Sequence, residues 1–297
     1  YHRELAGSRE PEVDVVRSAA VAVLFGLASA QGVRAQTGDC VLKDGVVRSV
    51  VRVLDGDTIV VDGSTEVRLI GALAPHPADA GAAREDIADG IWPSAIKAKA
   101  GLEGLVKGQP VELGFAERRK DRYGRLLAHV FVRHGGEAMW VQGEMLKRGL
   151  ARAYGLEGSM VCLAELVANE RLAREAAVGL WAEPAYAVRS ADEIETLSTL
   201  RGTFQVVEGR VRAVSDVRGV IYVNFGEDFR QDFTVLAQSR SRRAIETGGL
   251  KLQDLQGQPI RVRGWIERRG GPMIEIRHPA EIEVLAEMPE VSDRAEP

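Results

Sequence analysis

Four short stretches hold most of the side chains that could do chemistry in this chain. They are Asp55-Gly56-Asp57, then Arg68 within Val67-Arg68-Leu69-Ile70-Gly71, then Asp121-Arg122-Tyr123-Gly124-Arg125, then Arg148-Gly149-Leu150-Ala151-Arg152-Ala153-Tyr154. Arginines combined with carboxylates suit phosphoryl chemistry. Hydrolysis of a phosphodiester puts extra negative charge on the phosphoryl oxygens, and two guanidinium groups can meet it with paired N–H donors. A hard divalent cation binds the same oxygens, and a carboxylate can activate the attacking water. Each stretch also has a plain structural reading. Asp-Gly favours a tight hairpin turn, and a single arginine is commonly surface charge.

The elements that must position these groups are legible in outline. Val47 to Val61 alternates Val and Ile and reads as a strand pair broken at Asp55-Gly56-Asp57; Glu66 to Gly71 continues strand-like. The stretch from Ala74 to Gly90, rich in Ala, Asp, Gly and Pro, reads as a loop. Ser94 to Val106 has Ser at the N-cap position and apolar spacing near 3.6, so it reads as a helix that Gly108 ends. Gln109 to Phe115 and Leu126 to Arg133 read as strands, and Trp140 to Arg148 and Ser159 to Val178 as helices. Strands joined through a few helices indicate a mainly β, α+β fold with helices packed on a barrel.

In this order and spacing the four stretches resemble the staphylococcal nuclease (thermonuclease) family, over about residues 47–182. The resemblance includes Glu170 on the closing helix and its Gly179-Leu180-Trp181 end. It implies a five-stranded β-barrel of the oligonucleotide-binding (OB) type carrying about three helices. It also implies that Arg68 and Arg125 clamp phosphate in catalysis and that Asp57 ligates a metal, calcium or another divalent cation. Tyr123 and Tyr154 match positions that hold a terminal phosphate and stack on a base. Arg122 joins them as a nucleic-acid contact within a basic patch that also holds Arg118, Arg119, Lys120 and Arg125.

One stretch departs from the family pattern. Where the family carries an Asp-x-Pro-Glu-like run, this chain reads Leu73-Ala74-Pro75-His76. Leu73 cannot ligate a cation, so cation binding is expected to be weakened or absent, because affinity follows ligand charge. His76 stands at the position of the glutamate that assists the water. A neutral histidine can itself act as a base, or favour zinc or manganese. Asp79, Glu85 or Asp86 in the following loop could supply replacement ligands. The expectation is a nuclease-like protein acting on DNA or RNA, a metal-dependent phosphodiester hydrolase if active. The alternatives are a non-catalytic nucleic-acid binder and an envelope interaction protein.

A second strand-rich block follows a polar linker. Gln205 to Ala213, Val220 to Phe225, Phe233 to Ala237, Pro259 to Glu267 and Met273 to Ile276 are strand candidates, with a short helix at Arg240 to Thr247. That order is the order of a second small OB-like barrel. Tyr222 and Arg230 are its candidate nucleic-acid contacts, favouring single strands, because aromatics beside arginines can stack on bases and neutralise backbone. The expected division is upstream sequence and signal peptide at 1–35, a nuclease-like domain at 40–184, a linker at 185–202, an OB-like domain at 203–287 and a disordered tail at 288–297.

A formal net charge of −4 supplies no global field toward nucleic acid, so any such contact must come from local basic patches. Arg17, the apolar run Ala19 to Ala30 and Val33-Arg34-Ala35 have the order of a cleaved secretory signal. The run is shorter than the roughly 20 residues a membrane helix needs, so export to the periplasm or medium is expected, without stable membrane insertion after cleavage. An oxidising compartment would permit a disulfide between the two cysteines, Cys40 and Cys162. Neither a Cys-x-x-Cys pair nor a His/Cys cluster suggests structural zinc.

Overall fold

A computed structural model describes residues 40–76, 92–134 and 137–286. The expected leader (1–35), the loop carboxylates Asp79, Glu85 and Asp86, and the expected tail (288–297) lie outside the described residues. All the described residues belong to one compact unit, Thr37–Pro297.

The Val-rich segment at the start builds β1 (Lys43–Val53), β2 (Thr58–Val61) and β3 (Thr65–Leu69). Asp55-Gly56-Asp57 forms the bend between β1 and β2. The turn from β2 to β3 sits at Asp62 (φ 47°) and Gly63 (φ 91°), two residue types that tolerate left-handed backbone. Then come β4 (Ala72–Leu73), α1 (Pro93–Val106), β5 (Pro110–Phe115), β6 (Leu126–His134), β7 (Glu137–Trp140), α2 (Val141–Lys147), β8 (Arg152–Ala153) and α3 (Leu163–Glu175). The strands pair in the order β3-β2-β1-β5-β6-β7, and β3 also pairs with β6 in parallel. That last pairing closes β1, β2, β3, β5 and β6 into a ring. Ile59, Leu69, Val111, Leu113 and Val130 fill its core together with Leu102 of α1 and Met145 of α2.

Three boundaries differ from the sequence reading. Ser94 does not cap α1: the helix begins at Pro93, whose fixed φ and missing N–H suit a first helical position, and the Ser94 hydroxyl donates to Glu183 instead. The second helix starts at Val141 because Glu137–Trp140 pairs with β6. The third spans Leu163–Glu175, not Ser159 to Val178. Cys162 stands at its N-cap with φ 63° and is disulfide-bonded to Cys40.

The second half contains β9 (Arg189–Ser190), α4 (Ile194–Thr199), β10 (Phe204–Arg210), β11 (Ala213–Val217), β12 (Val220–Asn224), β13 (Thr234–Ala237), α5 (Ser239–Thr247), β14 (Pro259–Arg269), β15 (Gly271–Ile276) and β16 (Ile282–Val284). The sheet order is β11-β12-β13-β15-β14-β10-β9, with β13 and β15 parallel. β10 and β11 are consecutive lengths of one bent strand. Val211 donates its N–H to Gln258, on the β14 side, and Arg212 donates to Asn224 at the end of β12. A second ring is thereby closed over Val207, Ile221, Val223, Phe233, Val235, Val262 and Ile274.

The segment read as a linker is part of this second core. β9 pairs with β10, and Ala191 and Leu197 are buried in the same cluster. The two rings meet through charge. Glu170 of α3 accepts from Arg263 of β14 at 2.7 Å and from Arg174 at 2.9 Å, while Glu283 of β16 accepts from Arg263 at 2.6 Å and from Arg174 at 2.8 Å. Glu170 and Arg263 are almost wholly buried. Such charges persist in the interior only when paired and hydrogen-bonded.

Candidate phosphate-binding cleft

Asp57 is placed by backbone pairing. It directly precedes β2, where Thr58 lies opposite Arg68 of β3, and its carbonyl accepts from the Leu69 N–H at 2.8 Å. Its side chain is 1% exposed, and each oxygen has a donor. Oδ1 accepts from the Thr58 hydroxyl at 3.1 Å, and Oδ2 accepts from the Ala74 N–H at 3.2 Å. Arg68 and His76 both approach the same Oδ2, at 3.6 Å each. Burial alone would push the Asp57 carboxyl up. The His76 hydrogen bond and the Arg68 charge outweigh burial and hold it below the usual carboxylate range. Asp55 goes the other way. Its own burial and then the Asp57 charge push it up, although it accepts from the Asp57 N–H at 2.9 Å.

Arg125 comes from the turn that enters β6. Asp121 shapes that turn by accepting from the Tyr123 and Arg125 N–H groups at 2.8 and 3.0 Å, and Gly124 supplies the left-handed residue it needs, with φ 86°. The parallel register sets Arg68 opposite Leu127, so Arg68 and Arg125 share one face of the β3–β6 pair. Tyr154 is buried within electrostatic reach of these charges. Burial pushes its hydroxyl up, the Arg68 and Arg125 guanidiniums pull it down, and Asp57 opposes them. Arg68, in turn, is raised: burial lowers it, and Asp57 and Tyr154 more than compensate. Its Nε is buried and has no hydrogen-bond partner among the described residues, a donor an anion could satisfy.

Asp57, Arg68, His76 and Tyr154 are therefore assembled as the sequence reading placed them, with Arg125 in electrostatic reach. Two expectations change in detail. Tyr154 is only 5% exposed and packs edge-to-face on Phe204 of β10, so its ring offers no open face to a base. Its hydroxyl, beside Arg68, is what it contributes to the cleft. Arg125 already has a partner, a 2.7 Å ion pair with Asp121. Tyr123 is the exposed aromatic, flanked by Arg122 at 4.9 Å and Arg125 at 5.5 Å, beside a hollow of about 390 Å3 that Lys120 and Glu66 also line. Tyr222 and Arg230 belong to the second ring, away from this cluster of side chains.

Leu73 lies in an apolar cluster with Tyr154 and Phe204 and brings no oxygen to the cleft. Among the described residues, no group of three or more His, Cys, Asp or Glu side chains forms a metal-binding cluster. Asp57 and the half-buried Asp55 fall well short of the roughly six to eight oxygens calcium takes. The described residues alone do not fit a calcium shell. Sequence reasoning had no means of finding Phe204, because nothing near it signals contact with a site fifty residues earlier; Asp55 was visible in its motif, but not its bond to the Asp57 N–H.

Residues 66–183 match the family described as staphylococcal nuclease homologue. An uncharacterized protein of Methanocaldococcus jannaschii is similar at 32% identity over 146 residues, 44% of this chain and 70% of that protein. The thermonucleases of Staphylococcus hyicus and Staphylococcus intermedius are similar at 34% and 36% identity over 107 residues. Those stretches cover 35% of this chain and 57% of each thermonuclease, so the match spans little more than half of either relative.

Proposed function

Because this chain belongs to the staphylococcal nuclease family, we propose that it is a nuclease-like protein that grips the phosphodiester backbone of DNA or RNA in the cleft around Asp57, Arg68, His76, Arg125 and Tyr154. The observation that carries this reading is Arg68, its Nε without a hydrogen-bond partner among the described residues, held 3.6 Å from the buried Asp57 carboxylate that His76 approaches at the same distance. Fixed donors in a partly buried site hold phosphoryl oxygens without reorganisation. In this reading Arg68 and Arg125 donate to the phosphate, and Arg125 exchanges part of its Asp121 pairing for it. His76, oriented by Asp57, takes a proton from the attacking water. The cation requirement is weak or absent, since Leu73 supplies no ligand. The protein acts after export, and the second ring is an OB-like barrel that favours single strands.

A non-catalytic binder is the second reading. Leu73 and His76 stand where the family carries carboxylates, and this favours it, while the arginines are kept. A degradation assay on single-stranded DNA and RNA, with calcium, manganese, zinc or chelator, separates the two. Cleavage that Arg68→Ala abolishes supports the enzyme. Binding without cleavage, weakened by rising salt, supports the binder. Absence of both overturns the proposal. His76→Glu with Leu73→Asp discriminates further. Calcium-dependent cleavage appearing from nothing marks a disarmed nuclease, and slower cleavage marks His76 as a working base.

A further inference from the structure

The outer face of β11, β12, β13 and β15 contains a pocket of about 470 Å3, distinct from the cleft. Its walls are the rings of Tyr222 and Phe229 and the side chain of Met273; Asn224 and Thr234 supply polar groups, and Arg269 stands at the edge. The pairings that align them are Asn224 opposite Thr234 and Thr234 opposite Met273. Asn224 is 9% exposed. Its Oδ1 accepts from the Thr234 hydroxyl at 3.2 Å, and its amide N–H groups have no partner among the described residues. A buried amide with unused donors, beside two aromatic faces, is a recognition element for a flat heteroaromatic ring with acceptors at its edge.

The loop that brings Phe229 is built. Asp228 accepts from the Arg230 N–H at 3.0 Å and from the Gln231 side chain at 2.9 Å, and donates its own N–H to Asp232 at 2.7 Å. Gly270 and Gly271 let the β14–β15 turn press against this loop: a Cβ on either would come within 2.5 Å of the Arg230 or Gln231 carbonyl oxygen. Braced in this way, Phe229 is nevertheless 62% exposed, with the Arg230 guanidinium 5.6 Å from its ring centre. The charge around the pocket is biased. Asp228 and Asp232 are used inside the loop, Glu227 is paired with Arg212 and Asp216 with Arg242. Arg230, Arg268 and Arg269 have no carboxylate partner among the described residues; Glu267, opposite Met273, is the neighbouring acid without one.

We propose that this pocket binds a base of single-stranded nucleic acid, stacked between Tyr222 and Phe229 and hydrogen-bonded by Asn224, with Arg230 and Arg269 meeting the flanking phosphates. The inference rests on the reading that the chain acts on nucleic acid, and makes the second ring a separate contact for the strand held in the cleft. The test is fluorescence anisotropy with labelled oligothymidylate in chelator, for the whole protein, Phe229→Ala, Phe229→Trp, Arg269→Ala and Arg68→Ala. The expected result is a loss of about tenfold or more for Phe229→Ala, the typical worth of one base–aromatic stack. Phe229→Trp retains binding, and Arg269→Ala lowers both affinity and its salt dependence. Unchanged binding in Phe229→Ala, with loss in Arg68→Ala, overturns the pocket and leaves the cleft reading standing. Loss in Phe229→Ala alone upholds the pocket and removes the cleft. Displacement of the oligonucleotide from the pocket by an aromatic peptide but not by free nucleotide would assign the pocket to a protein partner and overturn the inference.

Discussion

In the first ring, β2, β3 and β6 lie side by side and carry Asp57, Arg68 and Arg125 at or just before their ends. In the second ring the corresponding strands, β12, β13 and β15, carry Tyr222, Asn224, Thr234 and Met273. The pairing logic is shared. Each ring closes through one parallel pair, β3–β6 and β13–β15, after an intervening helix. The two sites sit at opposite ends of the β-hairpins, the cleft at the open end of β2–β3 and the pocket at the loop end of β12–β13. One backbone plan has been furnished once with buried charge and once with aromatic, amide and hydroxyl groups. The difference teaches that one strand order leaves both ends of a hairpin available, and that the side chains decide which end becomes a site and what it can hold. Charge in the cleft survives burial because Arg68, His76 and the Ala74 N–H converge on one carboxylate; the pocket needs no such convergence, and its arginines stay at the rim.

The comparison treats the rings as separate sites on one body, and the strongest test removes what joins them. Arg263→Ala takes from the buried Glu170 and the partly buried Glu283 one of the two guanidiniums they share, leaving Arg174, and breaking such a buried pair costs up to about 3–5 kcal/mol. Chemical denaturation should register that drop; a change within the noise would show the network to be dispensable. The next effect separates the rings by pH. His129 of β6 is fully buried, neither ring nitrogen has a hydrogen-bond partner among the described residues, and burial pushes it down to about 4. Between roughly pH 6.5 and 4 the unfolded chain takes up a proton that the folded chain refuses, so stability falls as pH falls, by roughly 3 kcal/mol in total. His129→Leu should flatten that part of the stability–pH curve, and an unchanged slope would count against it.

Arg68→Ala should reduce turnover by about 10²-fold, as for loss of one fixed oxyanion donor. In a protein that only binds, it should reduce affinity by about 1–3 kcal/mol. Equal effects from Arg230→Ala on a dinucleotide substrate would erase the distinction between cleft and pocket. The smallest effect is expected at Arg133, whose ion pair with Glu112 is largely exposed. Arg133→Ala should shift stability by no more than about 0.2–1 kcal/mol and leave both sites as they were.

The cleft was legible where it depends on local sequence. Asp55-Gly56-Asp57, Arg68 and the Asp121–Arg125 turn are each held by hydrogen bonds within a few residues or by adjacent strands, so the short motifs that carry the family resemblance were enough to locate them. Tyr154 was located but misjudged. Its burial comes from Phe204, fifty residues along the chain, and periodicity has no access to such a contact. The strands of the first ring were visible as alternating Val and Ile. In the second, β11 was missed because Ala213–Val217 holds Ser215 and Asp216 on an exposed edge strand, where hydrophobic alternation fades. Residues 185–202 read as a linker because of their polar and acidic members; Ala191 and Leu197, spaced among them, enter the second core.

The buried square of Glu170, Arg174, Arg263 and Glu283 also bears on heredity. Many small barrels are shuffled between genes as interchangeable modules. This pair is coupled instead: each ring supplies one carboxylate and one guanidinium, and two of the four bonds, Arg263 to Glu170 and Arg174 to Glu283, cross between the rings. Limited proteolysis near residues 185–202 should accordingly give fragments that stay together until denatured.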